Sequence, residues 1–212
     1  MGMAAVVAWP MTLWLLAAPL RDLDVIVLGD TYFGESYRQR PPMPDYSVSS
    51  ARLRPLLARG QRVVANLETP LDERLPLSPL NGSKKYIHWT NVDKTLRELR
   101  RLRVDLVSLA NNHAFDKGWP GLRKTEAHLR EWRLPFCGYG ADAAAAAAPG
   151  IINVRARGNG TNVTVAFLCM WDTPGASARF YAGERSVGLA AADARQVQRV
   201  VASLRAAHAG ER

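Results

Sequence analysis

The sequence predicts an α/β fold, and three observations support this. After residue 20, short apolar runs alternate with amphipathic ones, which is the pattern of β-strands joined by crossing helices. The 212 residues are 48% hydrophobic and 22% charged, so the chain can bury a sizeable core. No internal repeat or interdomain linker is visible. We therefore expect one α/β domain over residues 21–212, preceded by an apolar segment at residues 1–20.

Each predicted element has its own signal. Apolar runs are predicted as strands at 24–28, 62–65, 104–109 and 134–137. Amphipathic segments with suitable flanking residues are predicted as helices at 50–59, 92–102, 120–132 and 190–207, the second of them capped near Asn91. Residues 151–157 and 163–169 predict a β-hairpin, because the Gly and Asn residues between them favour positive φ. The proline-rich stretch 69–91 predicts an irregular loop, and its length indicates a functional one.

Two features bear on the cellular compartment. Residues 1–20 carry no charged side chain and resemble a signal peptide or short membrane anchor, although an upstream-extended start or a buried edge element explains them equally well. Cys137 and Cys169 are too few for a disulfide-rich scaffold or a four-cysteine zinc site, and we expect them to be buried thiols. The cell envelope and the cytoplasm therefore both stay open as locations.

Basic residues exceed acidic ones, 28 Lys and Arg against 19 Asp and Glu, for a formal net charge of +9. Such an excess can indicate a polyanionic partner. Most of these cations are scattered arginines, and joint enrichment in Arg and Ala is typical of a GC-rich coding sequence. The densest basic run, 97–103, predicts the solvated face of a helix, and no aromatic residues interleave with it. We therefore expect no nucleic-acid partner.

Polar side chains follow three of the predicted strands. They are Asp30, Asn66, Glu68, Asn111, Asn112, His113 and Asp116. Because ligands bind at the carboxyl ends of the strands of an open α/β sheet, these side chains are expected to converge. Carboxylate, amide and imidazole groups suit Mg²⁺, Mn²⁺ or Zn²⁺, and an ion held there could activate water. Of the four histidines, His113 is the strongest candidate, because it follows a strand directly, whereas His88 lies in the irregular loop.

Four segments carry a resemblance to a known family. They are VLGDTYFGE (27–35), VVANLETPLDE (63–73), KKYIHWTN (84–91) and the stretch 105–140, which contains SLANNH. In this order and spacing they resemble the capsule synthesis protein family typified by the poly-γ-glutamate capsule protein CapA. The resemblance covers roughly residues 24 to 190.

The resemblance implies a calcineurin-like metallophosphoesterase fold, an αββα sandwich of two sheets flanked by helices. It implies that Asp30, Glu68 and Asn112 surround a divalent metal, which could be Mn, Zn, Fe or Mg. His113 would be the acid or orienting group beside that metal, supported by Asn111 and Asp116. Asn66 would orient Glu68 or contact the substrate. Lys84 or Lys85 would bind an anionic substrate group, although surface solvation explains both lysines nearly as well.

Two departures bear on activity, one from the wider superfamily and one from the family itself. Ordinary metallophosphoesterases begin with an Asp-x-His motif, whereas position 32 here is Tyr32, and the resemblance implies that the capsule synthesis family as a whole lacks this histidine. The family's later histidine-rich segments are expected after the last predicted helix, where this sequence ends at Arg212. We therefore expect the metal site of this chain to be incomplete and the domain to lack its C-terminal part.

Three functions remain open from the sequence. The first is a metal-dependent, hydrolase-like enzyme that acts on an anionic envelope polymer such as poly-γ-glutamate, or on its precursor. The second is a truncated or degenerate family member without activity. The third is a non-enzymatic assembly or binding subunit of a membrane complex that makes capsule polymer, in which the basic surface holds the polyanion.

Overall fold

The computed structural model describes residues 4–9, 12–16, 23–36, 46–73, 84, 86–172 and 178–207. Strands and helices alternate along the chain, with a parallel sheet flanked by helices, so the α/β prediction is confirmed. The chain divides into two compact units. The first comprises Met1–Val25, Ser108–Ala110 and Phe136–Arg212, and the second comprises Ile26–Val107 and Asn111–Pro135.

The described residues form twelve strands, five α-helices and a short 3-10 helix at Ala178–Phe180. The strands are β1 (Ala4–Trp9), β2 (Thr12–Leu16), β3 (Val25–Thr31), β4 (Gly34–Ser36), β5 (Arg62–Leu67), β6 (His88–Thr90), β7 (Val104–Ser108), β8 (Phe136–Cys137), β9 (Tyr139–Gly140), β10 (Gly150–Arg155), β11 (Asn162–Leu168) and β12 (Gly188–Leu189). The helices are α1 (Ser47–Leu57), α2 (Val92–Arg101), α3 (Gly118–Glu131), α4 (Ala143–Ala147) and α5 (Ala194–Ala207). All four predicted helices are confirmed with small shifts of their ends, whereas α4, β4, β6, β9 and β12 were not predicted.

In the second unit, the strands β3, β5 and β7 lie side by side in that order. The side chains of β5 and β7 are buried on both faces, as in parallel strands that helices cover on each side. The buried Leu96 and Leu99 of α2 belong to the same core. Asn91 caps α2 as predicted, because its side-chain oxygen accepts the Lys94 amide at 2.9 Å. These contacts fix the strand ends that carry the candidate site.

In the first unit, four strands form a sheet in the order β10-β11-β1-β2. The predicted hairpin is confirmed, since β10 and β11 pair antiparallel from Gly150 opposite Phe167 to Arg155 opposite Asn162. Strand β1 runs parallel to β11 and antiparallel to β2, so the described part of the apolar N-terminal segment is β-structure. Among the described residues, no helix combines the length and apolar character that a membrane span requires.

The prediction of two buried thiols is wrong, because Cys137 and Cys169 form a disulfide with their Cα atoms 5.6 Å apart. The fold brings together the ends of β8 and β11, which are 32 residues apart in sequence. Gly138, at φ +84°, follows Cys137 in a crowded place, where an added Cβ would lie 2.6 Å from the Ala110 Cβ and 3.0 Å from the Cys169 Cβ. Only glycine tolerates both the positive φ and the lack of space for a Cβ. The sequence therefore specifies the backbone at Gly138, although it did not predict the Cys137–Cys169 disulfide.

Candidate functional site

The ends of β3, β5 and β7 meet through a chain of amide hydrogen bonds. The Asn66 side-chain amide donates to the Asp30 carboxylate at 2.7 Å. The Asn111 amide donates both to the Asn66 side-chain oxygen at 3.0 Å and to the Leu67 carbonyl at 2.9 Å. Asn66 therefore orients Asp30, and buried Asn111 locks the three strand ends in place. We call this cluster the strand-end site; it comprises Asp30, Asn66, Glu68, Lys84, His88, Asn111, His113 and Asp116.

The turn after β7 pairs His113 with Asp116. The Asn111 side-chain oxygen accepts the His113 amide at 3.0 Å, and the His113 carbonyl accepts the Asp116 amide at 3.0 Å. This turn places His113 Nδ1 2.6 Å from an oxygen of Asp116, whose side chain is fully buried. Because a carboxylate only accepts, Nδ1 carries the hydrogen and Nε2 is left to take or give a proton. His113 Nε2 lies 4.0 Å from the Glu68 carboxylate.

Lys84 adds a cation to the buried side of this pair. Its ammonium donates to the other Asp116 oxygen at 2.5 Å and to the Asn112 backbone carbonyl at 2.7 Å, and it lies 3.2 Å from His113 Nδ1. The Lys84 side chain keeps 22% of its surface exposed. Asn112 is exposed, and it contacts the cluster through its backbone carbonyl. Lys85 lies outside the described residues.

His88 is the residue of this cluster that sequence reasoning missed. Its ring stacks between Tyr32 and His113, at centroid distances of 3.9 and 3.5 Å. Its Nδ1 donates to the Glu68 carbonyl, and its backbone amide donates to Asp116, both at 2.6 Å. The sequence contained one signal for it. Because Tyr32 stands where the Asp-x-His motif has its histidine, a second imidazole in this site has to come from another segment of the chain.

Burial controls the protonation of two groups in the strand-end site. Desolvation lowers the pKa of His88 to about 4, and the neighbouring charge of His113 lowers this pKa further. His88 is therefore neutral near pH 7. Desolvation also raises the pKa of Glu68, and repulsion from the Asp30 carboxylate acts in the same direction. A cation placed beside Asp30 and Glu68 would relieve this repulsion.

The donor set suits a metal ion. His88, His113 and Asp116 form a group that could hold one, since one donor atom from each lies within 4.8 Å of the others. Imidazole and carboxylate donors fit Zn²⁺, Mn²⁺ or Fe²⁺. The Lys84 ammonium already lies on Asp116, however, so an ion at these three side chains would compete with Lys84. Asp30 and Glu68 form no ion pair with a lysine or arginine among the described residues, and the imidazole of His113 lies 4.0 Å from Glu68.

Comparison with known proteins identifies the family. Residues 24–211 match the family described as bacterial capsule synthesis protein PGA_cap. The chain belongs to this capsule synthesis family. The match spans nearly the whole chain, so the resemblance drawn from the four sequence segments is confirmed. A search among curated proteins gives no match. Family membership assigns the chain to capsule synthesis.

Proposed function

We propose that the chain is a metal-dependent, hydrolase-like enzyme of capsule synthesis that acts on an anionic envelope polymer, such as poly-γ-glutamate, or on its precursor. The observation that carries the proposal is the His113–Asp116 pair, held 4.0 Å from Glu68 at the carboxyl ends of three strands. A buried carboxylate that fixes the tautomer of an imidazole is the arrangement of a general acid or base. The polar side chains at this edge are positioned by one another, as catalysis requires.

In this proposal, Asp30 and Glu68 hold a divalent cation, with Asn112 as a further ligand. Bound there, the ion would supply Lewis-acid polarisation and lower the pKa of a water molecule. Asn66 fixes Asp30 through its 2.7 Å hydrogen bond. His113 holds the proton at Nε2 and gives it to the leaving group, while Asp116 keeps Nδ1 protonated. Lys84, partly exposed, attracts the anionic group of the substrate toward the site.

A second candidate function is a non-catalytic subunit that binds the polymer. Lys84 favours it, because its ammonium already neutralises Asp116 and so occupies the one carboxylate of the His88, His113 and Asp116 group that could hold a metal. In this case the strand-end site is a structural network, and the polymer is held by surface cations. The two candidates make opposite predictions about turnover.

The test uses the purified full chain, loaded in turn with Mn²⁺, Zn²⁺, Fe²⁺ and Mg²⁺. Elemental analysis gives the bound metal, and hydrolysis is followed on a chromogenic phosphodiester and on poly-γ-glutamate. We expect His113→Gln to lower turnover by about 100-fold or more while leaving the metal bound, and Asp30→Asn to remove the metal. His128→Gln, on α3, is the matched control and should change neither quantity.

The outcomes separate the candidates. Turnover that falls in the His113 and Asp30 variants but not in the His128 variant supports the enzyme. Wild-type chain that shows no turnover with any of the metals, yet binds poly-γ-glutamate, overturns the enzyme in favour of the binding subunit. A chain that neither turns over nor binds the polymer overturns both.

A further inference from the structure

An arginine-lined groove lies at the end of β7 that is opposite to the strand-end site. The ends of α1 and α2 and the turns after α2 and α3 enclose it, as two adjoining cavities of about 580 and 260 Å³. Arg100 and Arg103 line both cavities, so the two cavities form one continuous surface. Five exposed arginines line this surface, which we call the arginine groove: Arg54, Arg100, Arg101, Arg103 and Arg133.

Helix electrostatics account for three of these arginines. Arg54 lies in the last turn of α1, and Arg100 and Arg101 lie in the last turn of α2. Cations at helix C-termini are stabilised by the helix dipole. Arg101 also forms an ion pair with Glu98. These three positions would carry basic residues even without a ligand.

The helix dipole does not explain the presence of arginine at positions 103 and 133. They directly follow the C-caps of α2 and α3, and their φ angles are +59° and +52°. They are the two non-glycine residues with positive φ in the described chain. Helices commonly end on glycine at this position, because other residues lose about 1 kcal/mol there. Strained backbone of this kind clusters at functional sites, and both side chains line the same groove.

Apart from the Arg101–Glu98 ion pair, the described residues supply little negative charge to the groove. Asp105 is the one carboxylate among its described lining residues, and it already accepts the Val63 amide at 2.8 Å. No described residue forms an ion pair with Arg54, Arg103 or Arg133. The guanidinium groups of Arg54, Arg103 and Arg133 therefore have no anionic partner in the described part of the chain and can meet an external anion.

We propose that the arginine groove binds an extended polycarboxylate chain. The planar guanidinium fork matches a carboxylate in bidentate geometry. Two cavities joined through Arg100 and Arg103 suit an elongated ligand rather than a single small anion. Single-stranded nucleic acid also needs aromatic stacking platforms. Trp132 is the aromatic residue among the described lining residues, and Arg100 already covers its ring at 4.4 Å. This inference does not rest on catalysis at the strand-end site.

The test measures binding of a fluorescently labelled poly-γ-glutamate oligomer to the full chain by anisotropy, at low and at physiological salt. The double variant Arg103→Gly and Arg133→Gly removes two charges at backbone positions that favour glycine, so folding is preserved. We expect it to weaken binding by about tenfold or more. The double variant Arg199→Gln and Arg205→Gln on α5 removes the same charge elsewhere and should change binding less than twofold.

Three results would overturn the proposal. The first is equal weakening in both double variants, which would mean unspecific attraction by net charge. The second is unchanged binding in the Arg103 and Arg133 variant. The third is displacement of the oligomer by single-stranded RNA at lower concentration than by unlabelled poly-γ-glutamate, which would assign the groove to nucleic acid. The His113→Gln variant should bind the oligomer like the wild type, so failure of the enzyme and failure of the groove are distinguishable.

Discussion

The strand-end site and the arginine groove lie at opposite ends of β7, and they differ in whether their charged side chains have partners within the protein. In the strand-end site the protein supplies the partners: Asp116 alone accepts hydrogen bonds from Lys84, His88 and His113. In the groove, Arg103 and Arg133 have no ion-pair partner among the described residues. The strand-end site is thus held in shape by its own contacts, whereas the described part of the chain supplies no anion to these two arginines of the groove. Mutations should therefore cost stability at the first and not at the second.

The largest effect is expected from Asp116→Asn. This change removes the charge of a fully buried carboxylate and leaves Lys84 and His113 without their anion. Breaking a buried ion pair costs about 3 to 5 kcal/mol, so the unfolding free energy measured in urea should fall by about 3 kcal/mol. Asp93→Asn, in an exposed pair with Arg97, is the control and should change it by less than about 1 kcal/mol. A loss of similar size in both variants would contradict the contrast between buried and exposed charge.

Asn111→Ala should come next. Its buried side chain makes two hydrogen bonds to the end of β5 and a third to the His113 amide in its own turn, and alanine leaves those partners unsatisfied. We expect a loss of about 2 kcal/mol of unfolding free energy in urea. Asn153→Ala, on the exposed face of β10, removes one hydrogen bond with Thr164 and should cost well under half of that. If the two losses are equal, Asn111 does not hold the strand ends together.

His88 should give the strand-end site a pH dependence that the arginine groove lacks, because arginines stay charged. The pKa of His88 is about 4 in the folded chain, against 6.5 unfolded. Between these values the unfolded chain binds more protons, so stability falls as pH falls from 6.5 to 4. The raised pKa of Glu68 acts in the opposite direction just above pH 4.5. Asp116, Lys84 and His113 also face the ring.

The measurement is urea unfolding from pH 4 to pH 7 in chelator-treated buffer, for the wild type and His88→Phe. Phenylalanine keeps the ring stack but does not titrate. After allowance for partial exposure, we expect the wild type to lose on the order of 1 kcal/mol more than the variant on acidification. Parallel curves would mean that His88 titrates normally and is not desolvated.

The smallest effect, and the one of opposite sign, is expected from Arg103→Gly. Glycine relieves the backbone at φ +59°, so the unfolding free energy should stay level or rise by up to about 1 kcal/mol. Arg97→Gly, inside α2, is the same substitution at a helical position and should cost about 1 kcal/mol. If Arg103→Gly is as destabilising as Arg97→Gly, the arginine has a structural role and the contrast with the strand-end site fails.

Much of this molecule could be predicted from sequence, because the decisive signals are local. Apolar periodicity predicted β5, β7 and the β10–β11 hairpin, and the Asn91 cap marked the start of α2. The convergence of Asp30, Asn66 and Asn111 followed from one rule, that the carboxyl ends of parallel strands share an edge.

The remaining features depend on the paths of loop segments, which no local sequence pattern predicts. His88 reaches the strand-end site from a segment without a periodic pattern that would predict its path, and its ring stacks there on Tyr32. The Cys137–Cys169 bond joins residues that neither spacing nor pattern connects. The short helix α4 was hidden in an alanine run, although Asp142 caps it by accepting the Ala145 amide at 2.8 Å. The groove was missed because each of its arginines, taken singly in the sequence, is typical of a solvated helix surface.

The redox state of the Cys137–Cys169 pair also reports which cellular compartment each copy of the chain has passed through. A copy that has passed through an oxidising compartment carries the bond, and a copy that has stayed among cytosolic reductants carries two thiols. An alkylating mass tag added at cell lysis labels only the second kind. The fraction of tagged chain in its native host would thus report the history of the whole population, before any assay of polymer or metal is attempted.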